Sequence, residues 1–172
     1  MSKYLIYFTL ICISIFAYAG ENDIDSFVLN GEEAKKVFDQ CSRPVPTNIS
    51  GYWKPGKNDI QILEASLQKY NKPKDIRYPM SDFYAQYVGF IRNKKKYIYI
   101  NFFHNSIGKT IANAIEFAKK ENRKELEKKY KNRMGYWERE AVNVCDGGDQ
   151  YWGLVFDPEL KVFTDLQVNG EA

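Results

Sequence analysis

The chain has 172 residues with 25 Lys and Arg against 22 Asp and Glu, a near balance that excludes a protein built to neutralise nucleic-acid phosphates with one whole face. Its single His and three Cys are too few to fill a zinc site of the usual kind once any cysteines pair. The 13 Tyr, 11 Phe and 3 Trp suit a β-rich domain whose strands turn large rings toward a core or a binding face.

Lys3 precedes an uncharged run from Tyr4 to Ala19 that is dense in Leu, Ile and Phe. Ala17 and Ala19 flank Tyr18 in the small-x-small arrangement that signal peptidase requires, so residues 1–19 read as a signal peptide cleaved after Ala19. A retained anchor would need roughly 20 apolar residues, and about 16 are present, so no membrane span is expected after cleavage. Lipoprotein processing is disfavoured because Ile11, not a small residue, precedes Cys12. Residues 20–172 are then expected to form one periplasmic or secreted domain, with Cys41 and Cys145 its only cysteines. In an oxidising compartment two thiols tend to pair, and closing a loop of about 104 residues restricts the unfolded chain by about 4–5 kcal/mol in the entropic view. The competing reading is a reactive Cys145 with His104 as its base.

Residues 20–26 are polar and are expected to be loosely held. Ala34, Val37 and Phe38 recur at helical spacing behind Glu32 and Glu33, which predicts a short helix over 32–40 that Pro44 and Pro46 stop. The stretch from Ser42 to Lys57, rich in Pro, Gly, Ser and Asn, reads as an irregular connection carrying Tyr52 and Trp53. Asn58 and Gln61 resemble a capping box at the start of a helix that shows Ile60, Leu63, Leu67 and Tyr70 on one face. The period then changes. Phe83–Arg92 and Tyr97–Phe103 read as a β-hairpin across the turn 93–96, with bulky residues on both faces of the second strand. From Ser106 to about Arg133, Ile107, Ile111, Ile115, Leu126 and Tyr130 mark one long helix or two shorter ones. Between Lys109 and Glu140 stand ten Lys/Arg against six Glu, a local positive excess that suits a solvated face or an acidic partner. Ala141–Cys145 reads as a short strand, and Tyr151–Phe156 pairs with 161–168 across a turn led by Asp157-Pro158. The order predicts an α+β domain: an antiparallel sheet of about five strands with helices packed on one face.

Three groups of residues carry chemistry worth weighing. Asp146-Gly147-Gly148-Asp149 beside Cys145 offers two carboxylates, yet it lacks the calcium-loop pattern, so no metal is expected; its glycines suit a tight turn. Gly108-Lys109-Thr110 imitates the end of a phosphate loop, but Phe103 stands where the first glycine is needed, and no nucleotide or other cofactor is expected. Tyr52, Trp53, Tyr97, Tyr99, Trp137, Tyr151 and Trp152 form a candidate binding surface, because Tyr and Trp dominate recognition hot spots.

The strings Gly51-Tyr52-Trp53-x-Pro55, Tyr87-x-Gly89-Phe90, Tyr97-Ile98-Tyr99-x-Asn101, Val144-Cys145-Asp146-Gly147-Gly148 and Tyr151-Trp152-Gly153, ending in Asn169-Gly170, resemble a family of small exported bacterial proteins with no settled activity. The resemblance covers residues 41–172 and implies export and a compact domain; it carries no catalytic residues. The expectation is a non-enzymatic exported binding protein, an inhibitor or immunity-type partner of another exported protein. A hydrolase using Cys145 or the Asp146/Asp149 turn, and a carrier of a small apolar ligand, are the alternatives. Protein recovered from the exported fraction is expected to begin at Gly20 by intact-mass analysis and, denatured without reductant, to show no titratable thiol.

Overall fold

The structure, a computed structural model, describes residues 24–171; the expected signal peptide lies outside the described residues. Two ten-residue strands, β3 (Phe83–Arg92) and β4 (Lys95–His104), form the centre of the sheet and pair antiparallel from Phe83 opposite His104 to Arg92 opposite Lys95. The turn between them is only Asn93 and Lys94, both at positive φ, 53° and 64°. A two-residue turn with two such residues follows the twist of its flanking strands, which fixes the register of the hairpin. β5 (Tyr151–Asp157) pairs with the other edge of β4, and β6 (Val162–Val168) with β5. The Asp157 carboxylate accepts hydrogen bonds from the amides of Glu159 and Leu160 at 2.9 and 3.0 Å, closing the β5–β6 turn.

Two further strands correct the expected sheet of about five antiparallel strands to one of six, mostly antiparallel. β1 (Asp25–Val28) runs parallel to β3 along Tyr84–Tyr87, and β2 (Ile49–Trp53), in the segment expected to be irregular, runs antiparallel along Gly89–Arg92. Both share one edge of β3, which is long enough to hold two short strands end to end. Such strands leave little period-2 signal, because four or five residues broken by Ser26 or Gly51 barely alternate. The expected strand over Ala141–Cys145 is absent: these residues have no strand partner.

Helices cover both faces of the sheet, where one covered face was expected. Four are present among the described residues: α1 (Gly31–Lys36), α2 (Lys57–Leu67), α3 (Ser106–Lys120) and α4 (Lys124–Arg133). Leu63 and Leu67 of α2 pack on Ala85, Tyr87, Ile98, Ile100 and Trp152 on one face. On the other, Ala34 of α1 and nearby Val37 lie against Val88, Phe90, Tyr99 and Val155, while Ile111 of α3 joins Phe103, Trp137 and Val142. Both faces are covered because successive residues of β4 from Ile98 to Phe103 are all buried, and a strand apolar on both faces needs two covers. Gly56 caps the start of α2, its amide donating to the Asp59 carboxylate at 2.8 Å, so the carboxylate at the helix start is Asp59 and the anticipated Asn58/Gln61 pair is not the cap. The lysine-rich segment forms two helices, broken at Asn122 (φ 53°). Among the described residues no helix is long and apolar enough to cross a membrane.

The irregular segment 137–146 lies over a row of buried polar side chains on the α1-side face. Gln86 and Asn101, cross-strand partners in β3 and β4, are 0% and 1% exposed. Gln86 Nε2 donates to the carbonyls of Trp137 and Glu140, both at 2.7 Å, while its Oε1 accepts from the amide of Val142 at 3.0 Å and from Asn101 Nδ2 at 3.1 Å. Asn101 Nδ2 also donates to Val142 O at 2.9 Å. Asn169, just beyond β6, donates to the carbonyls of Val144 and Asp146 at 2.6 and 2.8 Å. Backbone groups that a strand partner would have satisfied are met by side-chain amides.

Arg43 crosses this row. Its guanidinium donates to Asn101 Oδ1, Asn169 Oδ1 and, through Nε, to Tyr99 Oη at 3.1 Å. The residue is 5% exposed, and among the described residues no carboxylate pairs with it. Three neutral acceptors oriented at a buried cation offset part of its lost hydration. Tyr99 reaches this position because Gly153 lies on the neighbouring strand: a Cβ there would stand 2.1 Å from the Tyr99 hydroxyl oxygen. Gly153→Ala is therefore expected to displace Tyr99 from Arg43 and to lower stability by about 1–3 kcal/mol, the usual cost of overpacking, measured by urea unfolding.

Candidate functional site

The seven aromatics expected to share a binding surface are divided by the pleat of the sheet. Tyr97, Tyr99 and Tyr151 point to the α1-side face, whereas Trp152 lies in the α2-side core, stacked on Phe102 with ring centroids 3.8 Å apart. Trp152, Tyr99 and Trp137 are buried, the last lying nearly parallel to Tyr84 at 5.6 Å. Tyr52, Trp53 and Tyr97 remain partly accessible around the β3–β4 end of the sheet, where Trp53 Nε1 donates to the carbonyls of Phe90 and Tyr97 at 3.2 Å. Lys96 Nζ stands 4.8 Å over the Trp53 ring, and the Arg92 guanidinium 5.1 Å over the Tyr97 ring. Tyr151 is opposite Phe103, at the other end of β4. The structure thus keeps only two of the seven on one face near each other, Tyr52 and Tyr97 on either side of Phe90, while Trp53 lies over Gly89 on the opposite face.

Of the groups weighed for catalysis, Cys145, Asp149 and His104 make structural contacts through their side chains and Asp146 through its backbone. Cys145 is bonded to Cys41, with the two Cα atoms 5.2 Å apart, so it presents no thiolate. Asp149 is buried and accepts from the Arg77 amide at 2.7 Å, Arg77 Nε at 3.0 Å and Arg77 Nη2 at 2.8 Å. Asp146 adopts φ 68°, and its amide donates to Ser42 Oγ at 2.9 Å. His104 Nδ1 accepts from the Ser106 amide at 3.1 Å, and its ring packs edge-on against Tyr78 and Phe83. Burial lowers the His104 pKa, which keeps the ring neutral at pH 7.

The accessible relief of the molecule lies elsewhere. α3 and α4 pack chiefly on each other as a helical hairpin. Between Ser106 and Arg133 the hairpin carries nine Lys/Arg against four Glu, α4 buries no residue, and Phe117 on α3 is 54% exposed, with Met134 just past α4 40% exposed. At the foot of the hairpin, where α3 begins and α4 ends, a cleft of about 420 Å³ opens toward the sheet. Ile107, Ile111 and Val144 supply apolar surface, and Tyr130, Tyr136 and Tyr151 wall it. Lys129 and Arg133 stand at its rim; neither is in an ion pair among the described residues. The Arg133 guanidinium lies 4.8 Å over the Tyr136 ring. The Cδ2–Cε2 edge of the Tyr151 ring approaches Gly147, where a Cβ would come within 2.6 Å of it; with φ at 84°, that position suits glycine on both counts. Burial raises the pKa of both Tyr136 and Tyr151, so both phenols keep their protons at neutral pH. A second depression, of about 760 Å³, lies between α2 and β6, with Lys69 and Lys161 beside the packed rings of Tyr70 and Phe163.

Sequence reasoning singled out the lysine-rich helices and Tyr151, but it missed the cleft they border. Its residues come from α3, α4, the segment 136–146 and β5, which share no sequence spacing. The chain matches no known protein family, no curated protein and no solved structure, so the reading of its site rests on this geometry.

Arg77 holds the Asp149 carboxyl below the ordinary carboxylate range. That contribution to stability is fully present above the unfolded-state pKa near ~4 and is lost as pH falls through the lower folded-state value. Arg77 is itself 71% exposed, and solvent screening keeps the effect modest. Asp149→Asn is expected to lower the melting temperature by a few degrees at pH 7, with the gap to the parent protein closing at about pH 3 or below, followed by thermal melts across that range.

Proposed function

We propose that this chain is an exported, non-enzymatic binding protein that engages another exported protein, in the manner of an inhibitor or immunity partner, through the α3–α4 hairpin. The observation that carries this reading is the hairpin itself: a strongly basic pair of helices with Phe117 and Met134 exposed, on a domain whose Cys145, Asp149 and His104 side chains make structural contacts. Apolar side chains within a positive field are what a partner with an acidic, partly apolar face would meet, the charge speeding encounter and the apolar groups slowing release. The disulfide supports a periplasmic or secreted location. The division of the aromatics moves the proposed interface from the seven-residue surface to the hairpin, with Tyr52 and Tyr97 as a separate, smaller patch.

A photo-crosslinking residue at position 117 of the full chain, expressed with its own export signal, tests the reading. One exported protein is expected in the crosslinked product by mass spectrometry, and Lys119→Glu, Lys120→Glu and Lys124→Glu together should abolish it while leaving the melting temperature unchanged. A product that survives the charge reversal, or that forms equally from a crosslinker at Tyr70, counts against the hairpin as the interface.

A further inference from the structure

We infer that the cleft at the foot of the α3–α4 hairpin binds a small amphipathic organic anion, with its apolar or aromatic body on Ile107, Ile111 and Val144 and its carboxylate or phosphate at Lys129 and Arg133. This inference is independent of the partner protein proposed above. The cleft volume of about 420 Å³ falls within the range of roughly 300–1,000 Å³ typical of small-molecule sites. Its composition also follows that pattern, with aliphatic surface and aromatic walls and a few convergent polar groups at one side. The walls are preformed: Gly147 backs the Tyr151 ring, and Arg133 lies over Tyr136. A preformed site loses less freedom on binding than one that must be assembled.

Charge decides the ligand class. Lys129 and Arg133 have no carboxylate partner among the described residues, so neither charge is neutralised by the protein, although Arg133 already lies over the Tyr136 ring. A guanidinium presents a donor fork that fits carboxylate and phosphate oxygens. The protonated phenols of Tyr136 and Tyr151 are further donors. An uncharged hydrocarbon would use the floor and leave the cations unused, so the apolar carrier anticipated from sequence becomes a carrier of anions. The larger depression between α2 and β6 is a weaker candidate, because the rings of Tyr70 and Phe163 pack on each other there, with centroids 4.8 Å apart, and so are less free to receive a ligand.

The probe is 4-phenylbutyrate, with its neutral amide as the charge control, added to the folded full-length mature protein and followed by isothermal titration and amide chemical shifts. Binding is expected to perturb Ile107, Val144 and Tyr151, to weaken with added salt, and to be about tenfold or more weaker for the amide, the scale of a lost charge-assisted hydrogen bond. Lys129→Gln with Arg133→Gln should weaken phenylbutyrate by a similar factor and leave the amide unaffected. Lys69→Gln with Lys161→Gln should change neither. Absence of saturable binding, equal affinity for acid and amide, or shifts centred on Tyr70 and Phe163 would overturn the proposal. All four substitutions replace exposed side chains, and a thermal melt verifies that each variant is folded.

Discussion

A buried row of amide side chains, Gln86, Asn101 and Asn169, crossed by the Arg43 guanidinium, holds the irregular segment 137–146 against the sheet. That segment has no strand partner, and its backbone donors and acceptors would be costly to bury if left unpaired. The amides meet them one by one. Placing Asn101 in the middle of β4 and Gln86 opposite it costs the sheet two apolar contacts and secures a second layer over its surface. The Cys41–Cys145 bond fastens the same segment near its end, two residues from Arg43, so the covalent and the hydrogen-bonded attachments act on one strap.

This arrangement accounts for the roles of the residues that would otherwise suggest catalysis. Cys145, Asp146 and Asp149 lie on the strap or just before β5 and make contacts that hold the chain there, while His104, at the end of β4 on the opposite face, accepts from the Ser106 amide and holds the start of α3. Gly147 and Gly153 have the same logic: one leaves room for the Tyr151 ring, the other for the Tyr99 hydroxyl. The cleft below the helical hairpin inherits a fixed wall from this construction, because Val144 and Tyr151 flank the disulfide and the glycine turn.

Charge is distributed unevenly over this frame. The chain is near neutral as a whole, yet the hairpin gathers a positive excess, with only Lys131 and Glu127 forming an ion pair within α4. α3 has an apolar stripe that reaches Phe103 and Trp137. α4 is mostly exposed and is held largely through α3, so its sequence is free of core constraints and carries the field of the molecule. Both proposed interactions draw on that field, one along the hairpin and one at its foot.

The sequence by itself determined the elements whose signal is local. The β3–β4 hairpin, α2, the β5–β6 hairpin, the lysine-rich helices and the Cys41–Cys145 pair were all legible, because alternation, helical spacing and two cysteines beyond the expected leader act within a segment or a compartment. Tertiary structure alone decided the parallel β1, the insertion of β2 beside it, the burial of Trp152 and Tyr99, and the cleft. Ala141–Cys145 reads as a strand because the run is largely apolar, and only the positions of Gln86, Asn101 and Asn169, distant in the chain, show that its hydrogen bonds go to side chains instead. Long-range partners of this kind leave no periodicity to read, since the physical requirement they meet, satisfying a buried backbone, can be filled by any suitably placed amide in the fold.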